Sequence, residues 1–158
     1  MGEAGAQALG ALHVTAPPRT FERPPVEVKS GAGFGDVGVL EGYTLKREGE
    51  KLRLTLIWRA TGTPTLSYSA FVHLGDAAGR VWTQSDHVPA DWTRPTTGWL
   101  AGEYIADSHV LTLPADLPPG SYTLWVGLYD PRTSLRLPVS GPGAAQDDRV
   151  KLGEVTLP

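Results

Sequence analysis

The stretch Asp116–Asp130, DLPPGSYTLWVGLYD, decides how the rest of the chain is read. Pro118, Pro119 and Gly120 form a turn. Tyr122, Leu124, Val126 and Leu128 then alternate with Ser121, Thr123, Trp125 and Gly127. A period of two among aromatic, aliphatic and β-branched residues, launched from a turn, is the pattern of a sheet strand. On that register Tyr122, Leu124, Val126 and Leu128 face a core, and Trp125 faces the other way.

The same grammar recurs on both sides. GVLEGYTLKR, a turn at Glu48–Lys51 and LRLTLIWRA read as a hairpin. In its second strand Leu52, Leu54, Leu56 and Trp58 share one face, while Arg53, Thr55, Ile57 and Arg59 take the other. LSYSAFVHL reads as a central strand, RVWTQSDH as the next, then YIADSHVLTL, and RVKLGEVTL as the last. Weaker strands are expected at Ala11–Thr15, at Val26–Val28 as an edge, and at LRLPV after Asp130. SGAGFGD (Ser30–Asp36) reads as a loop, as does the long segment Val88–Glu103. No window carries a 3.6-residue amphipathic pattern.

Evenly spaced strands with turns between them predict an all-β, nearly helix-free, antiparallel two-sheet β-sandwich of immunoglobulin-like or jelly-roll-like type. An open barrel is the alternative. About eight to ten strands are expected. Tyr43, Leu54, Leu56, Trp58, Val72, Leu74, Leu111, Tyr122, Leu124, Val126 and Leu128 are the expected core. Residues 1–8 read as a flexible lead and 9–158 as one domain.

Composition narrows the function. The chain has 158 residues, a net charge of −3, 19 glycines, 14 prolines and no cysteine. Disulfides, thiolate metal sites and thiol nucleophiles are excluded. The charge offers no basic footprint for nucleic acid. No run approaches the ~20 apolar residues of a membrane span, so direct membrane insertion is not expected, and the N-terminus lacks the charge pattern of a signal peptide. There is no GxSxG elbow, no HExxH and no calcium loop of the D-x-D-x-D-G kind. SGAGFG lacks the lysine and following helix of a phosphate loop. The isolated chain is therefore expected not to be an enzyme and to carry no cofactor, a structural calcium on scattered acids being the exception.

The blocks FGDVGVLEGYTL, LRLTLIWRA, FVHLGDAAGRVWTQSDHVP and TGWLAGEYIADSHVLTLPADLPPGSYTLWVGLYDPRTSLRL occur in an order that resembles one known arrangement. It is the C-terminal, extracytoplasmic β-sandwich domain of bacterial multi-spanning membrane proteins, many of them family-39-type glycosyltransferases that use lipid-linked sugars. The likeness spans about Leu9 to Leu157. One departure is at Trp99, followed by Leu100-Ala101-Gly102-Glu103 where the pattern has Pro-Gly-Glu. The resemblance implies an extracytoplasmic accessory domain, with cell-envelope carbohydrate or the membrane portion of a parent protein as partner. It carries over no catalytic residue. A looser architectural likeness is to the polysaccharide-binding sandwich of O-antigen ABC transporters.

Within that frame the aromatic residues off the core register are the binding candidates. Trp82, Trp125 and Phe71 would form a flat platform if their face is open, with His73, Gln84, Asp86 and Thr123 as polar neighbours. Sugars stack their apolar C–H faces on such rings while their hydroxyls seek polar partners. The competing reading is that the Val88–Glu103 loop folds over this face. Within that loop Trp99 reads as an anchor and Trp92, flanked by Asp91 and Arg94, is the better ligand candidate. His73 and His87, on successive strands, are the histidines that could approach each other. The alternative function is a structural or protein-interaction sandwich with no small-molecule ligand.

Overall fold

The computed structural model describes residues 18–158. The lead at 1–8, the strand at Ala11–Thr15 and His13 lie outside them. Nine strands follow in order: β1 (Val28–Phe34), β2 (Gly38–Glu48), β3 (Lys51–Ala60), β4 (Ser69–Gly75), β5 (Val81–His87), β6 (Tyr104–Thr112), β7 (Gly120–Tyr129), β8 (Val139–Ser140) and β9 (Val150–Leu157). The helical content of these residues is one 3-10 turn at Thr96–Gly98.

Two antiparallel sheets pack face to face: β6-β3-β2-β1-β8 and β5-β4-β7-β9. This is the β-sandwich that the alternation predicts. Leu54, Leu56 and Trp58 of β3 point inward from one sheet, and Leu124, Val126 and Leu128 of β7 join them in the core from the other. Every residue expected in the core is buried there. Ile57, on the outer face of β3, is also buried. Packing is dense around Trp58, whose ring meets Phe34 edge-on at 5.0 Å and Trp99 at 6.4 Å.

Two stretches depart from the sequence expectation. Of the loop expected at Ser30–Asp36, Ser30–Phe34 belongs to β1, which starts at Val28 and is an interior strand paired with both β2 and β8, not the edge expected at Val26–Val28. Its alternation survives in Ala32 and Phe34, both fully buried, but the intervening glycines hide it. A register shift between Lys29 and Ala32 accommodates Gly31 at φ +106°, a conformation that favours glycine. Of the strand expected at LRLPV only Val139 falls in β8, and Arg136 makes an isolated bridge to Tyr129. Leu137 N–H donates to Leu128 O, and Gly35 N–H donates to Pro138 O. The segment thus steps from one sheet to the other, and Pro138 has no N–H to extend a ladder.

The long loop is anchored as expected. Trp99 is fully buried and donates Nε1–H to Arg94 O (3.0 Å). Thr96 Oγ1 donates to Leu66 O (2.8 Å) and accepts from Tyr68 N–H (3.0 Å). Glu103, sealed from solvent, pairs with Arg94 and with Arg19 (2.7 Å). Burial pushes its carboxyl up, but the Arg94 hydrogen bond, the Leu100 amide and the two guanidinium charges outweigh that and hold it below the usual range.

Candidate functional site

The six binding candidates separate into three places. His73, Gln84, Asp86 and Trp125 share the outer face of the four-stranded sheet. His73 lies opposite Gln84 on one side and Trp125 on the other, and Phe71 opposite Asp86. Trp82 sits at the bulged start of β5, and Trp92 lies in the turn beyond the other end of that strand, near His87. No single aromatic row joins Trp82, Trp125 and Trp92.

Nor are the rings on the outer face bare. Arg149 stacks on Trp125 at 3.7 Å, Arg80 on Trp82 at 3.7 Å and Arg136 on Phe71 at 4.6 Å. Each guanidinium takes the apolar face that a sugar would use. Phe71 itself is only 2% exposed, and its ring lies across Gly127, where an added Cβ would meet it at 2.1 Å. The covering therefore comes from arginines beside the strands. Trp82 Nε1–H donates to Asp76 Oδ2 (2.9 Å). That bond, with the amides of Arg80 and Ala78, holds the Asp76 carboxyl below the ordinary range. What stays open is a pit of about 160 Å³ lined by Phe71, His73, Asp86, Tyr129, Ser134 and Arg136. Burial lowers the His73 imidazole, which keeps it neutral at neutral pH, and burial with the Asp86 charge raises the Tyr129 phenol.

Trp92 is different. It is 65% exposed, and no guanidinium stacks on it among the described residues. Its backbone explains the exposure. Ala90, Asp91 and Trp92 are consecutive left-handed residues, with φ of 57°, 50° and 73°. L-residues resist this conformation by about 1–2 kcal/mol each. Specific bonds hold the turn: Trp92 N–H to Val88 O (2.8 Å), Arg94 N–H to Pro89 O (3.0 Å), and Ala90 N–H to Asp107 Oδ1 (2.9 Å).

The last bond leads to a cluster that the sequence reading missed. β5 and β6 are edge strands of opposite sheets. Ser85 and His87 occupy inward registers of β5, opposite Val72 and Ala70. Asp107 and His109 occupy inward registers of β6, opposite Leu56 and Leu54. The four meet between the sheets. Asp107 Oδ2 accepts from Trp58 Nε1–H (3.2 Å) and His109 Nε2–H (3.0 Å). With that proton on Nε2, His109 Nδ1 accepts from the Ser85 hydroxyl (2.8 Å). His87 stacks on His109 with ring centroids 4.0 Å apart. Its nitrogens face Val88 O (2.9 Å) and Ser108 O (3.2 Å). His73 and His87 point to opposite faces of their sheet, so His87 meets His109 instead.

A serine–imidazole–carboxylate chain also occurs in acyl-transfer sites. Here the imidazole and carboxylate are sealed inside the sandwich, where they brace Trp58 and the Trp92 turn. Outside the cluster lies a groove of about 300 Å³ lined by Arg53, Ser85, His87, Asp91, Ser108 and Val110. The Trp92 ring stands 6.3 Å from the His87 ring that lines it. The signal in the sequence is I-A-D-S-H-V-L (Ile105–Leu111), in which Asp107 and His109 hold inward slots between Ile105 and Leu111.

No family model matches the chain, and no curated protein does. A remote likeness among solved structures is to the crystal structure of wild-type OgpA from Akkermansia muciniphila. It has 12% identity and a TM-score of 0.39, covering 80% of this chain and 31% of that one. At that level the likeness carries no functional information. The chain spans under a third of the length of that protein. Among the described residues no helix is long and apolar enough to cross a membrane.

Proposed function

We propose that this domain is a non-catalytic carbohydrate-binding sandwich and that Trp92 with its adjoining groove is the binding site. One observation carries the reading: a left-handed turn, clamped from below by Asp107, holds an uncovered indole beside a groove edged by Arg53, Asp91 and Ser108. The indole supplies a stacking face. Arg53 donates, Asp91 and Ser85 accept, and Ser108 does both, which suits paired sugar hydroxyls. Conformational strain held in place by surrounding bonds is common where a side chain must be presented. The platform expected on the outer sheet face is less suited, because arginines cover Trp82, Trp125 and Phe71. In keeping with the sequence resemblance, the domain would serve as an extracytoplasmic accessory to a membrane glycosyltransferase-like protein, with cell-envelope sugar as its ligand.

A shallow site of this kind gives millimolar affinity, about −4 kcal/mol. Titration with a panel of envelope sugars, followed by the five indole N–H signals, tests it. The Trp92 signal should move, and Trp92→Ala should abolish binding while changing stability by less than ~0.5 kcal/mol. Shifts at Trp82 or Trp125 without Trp92 would return the site to the outer sheet face. Silence across the panel at high millimolar sugar would favour a protein-interaction domain.

A further inference from the structure

We propose that His87, Asp107 and His109 form a binding site for a divalent transition-metal ion of the zinc class. One ligand atom from each lies within 4.8 Å of the others. Asp107 Oδ2 is 3.0 Å from His109 Nε2, and Oδ1 is 3.8 Å from His87 Nδ1. Tetrahedral ligands at about 2.0–2.2 Å stand roughly 3.3–3.6 Å apart, so the widest pair must close by about an ångström as one ring tilts.

The outer partners strengthen the case. A metal-binding histidine usually gives its second N–H to an oxygen, which fixes the tautomer and the ring. Both histidines have that oxygen in place: Ser85 Oγ at His109 Nδ1 (2.8 Å) and Ser108 O at His87 Nε2 (3.2 Å). The carboxylate is likewise steadied, by Trp58 Nε1–H and Ala90 N–H. On binding, the His109 proton would move from Nε2 to Nδ1, which then donates to Ser85 Oγ, and His87 would carry its proton on Nε2 toward Ser108 O, so that each ring presents a lone pair toward Asp107. Three protein ligands leave a fourth position for water.

The donor set selects the metal. Two imidazole nitrogens and one carboxylate suit Zn²⁺ and its neighbours, whereas Ca²⁺ takes six to eight oxygens. The calcium considered from the sequence is therefore not the ion this cluster fits. Binding has a structural consequence. The two rings now stack face to face, only 8° from parallel, so one must tilt for both to point at a common ion. His87 is the one that reaches the surface, and tilting it gives up the 2.9 Å bond to Val88 O. Val88 O also accepts from Trp92 N–H, so the Trp92 indole should sense the metal. The metal site and the sugar site stand or fall separately.

Isothermal titration of the full chain with zinc chloride, paired with thermal melts, tests the site. One ion per chain should bind at about micromolar Kd or tighter. Excess Zn²⁺ should raise the melting midpoint, Ca²⁺ at the same concentration should not, and the Trp92 indole signal should shift. His87→Gln and His109→Gln should each weaken binding at least about tenfold. His87 lies at the margin of the sandwich, so His87→Gln keeps the test decisive if the buried His109→Gln fails to fold, which circular dichroism reports. Three results would each overturn the proposal: no heat and no melting shift up to millimolar Zn²⁺, equal stabilisation by Ca²⁺, or Zn²⁺ affinity undiminished in His87→Gln, which would place the ion on other histidines.

Discussion

Replacing Asp107 by alanine removes the acceptor on which the β5–β6 edge depends. The carboxylate is fully buried and takes hydrogen bonds from Trp58 Nε1, His109 Nε2 and Ala90 N–H. A buried donor without a partner costs about 1–3 kcal/mol. Trp58 and His109 are both sealed from solvent, so each should incur that cost. Ala90, half-buried at the edge, can recruit water and should cost less. The expected loss is about 3–6 kcal/mol. It would fall short of the simple sum because burying the carboxylate is itself unfavourable. Against a total stability of about 5–15 kcal/mol this is severe. Asp107→Asn keeps the shape and one acceptor and should lose roughly half as much. Urea unfolding at neutral pH measures both, provided the slope of the transition stays unchanged. The Ala90–Trp92 turn should also lose hydrogen-exchange protection ahead of global unfolding, since Asp107 Oδ1 is its clamp. An Asp107→Ala loss below ~1 kcal/mol would refute the view that this cluster holds the edge together.

Two further outcomes are expected. The folded state holds the Glu103 carboxyl below the unfolded value of about 4.3, so its stabilisation is full above that pH and is lost as pH falls through the folded value. Glu103→Gln should lower stability at neutral pH and flatten the acid limb of a stability–pH curve; an unchanged acid limb would show that its pairing with Arg94 and Arg19 contributes nothing. Gly127→Ala places a methyl 2.1 Å from the Phe71 ring and should cost about 1–3 kcal/mol by forcing that ring and the overlying Arg136 aside. A loss under ~0.5 kcal/mol by chemical denaturation would mean that the ring yields freely.

Strands with intact alternation were legible directly. Leu52 to Trp58 and Tyr122 to Leu128 each put one face into the core, and the register in the structure agrees. The anchoring of Trp99 was legible too, as a large side chain beside a glycine turn. β1 was not, because glycines break up the alternation of Ala32 and Phe34 and strand pairing rescues it. For the site, the sequence singled out Trp92 as the ligand candidate of its loop, and its indole is exposed. It also offered Trp82, Trp125, His73, Gln84 and Asp86, without any means of seeing that Arg80, Arg136 and Arg149 would lie over the neighbouring rings. Those arginines come from turns and from segments far along the chain.

The sequence alone determined a sandwich, its inward faces and most of its core, because a period of two is a local property that every strand carries within itself. It also determined that thiol chemistry was absent. The tertiary structure alone decided which polar residues meet. Ser85 and His87 lie on one edge strand, and Asp107 and His109 on another in the opposite sheet. Their contact depends on how the two sheets stack, and no spacing within the chain encodes that. The left-handed turn under Trp92 has the same origin. Its local sequence, Ala-Asp-Trp, disfavours the conformation, and a carboxylate from another strand holds it in place.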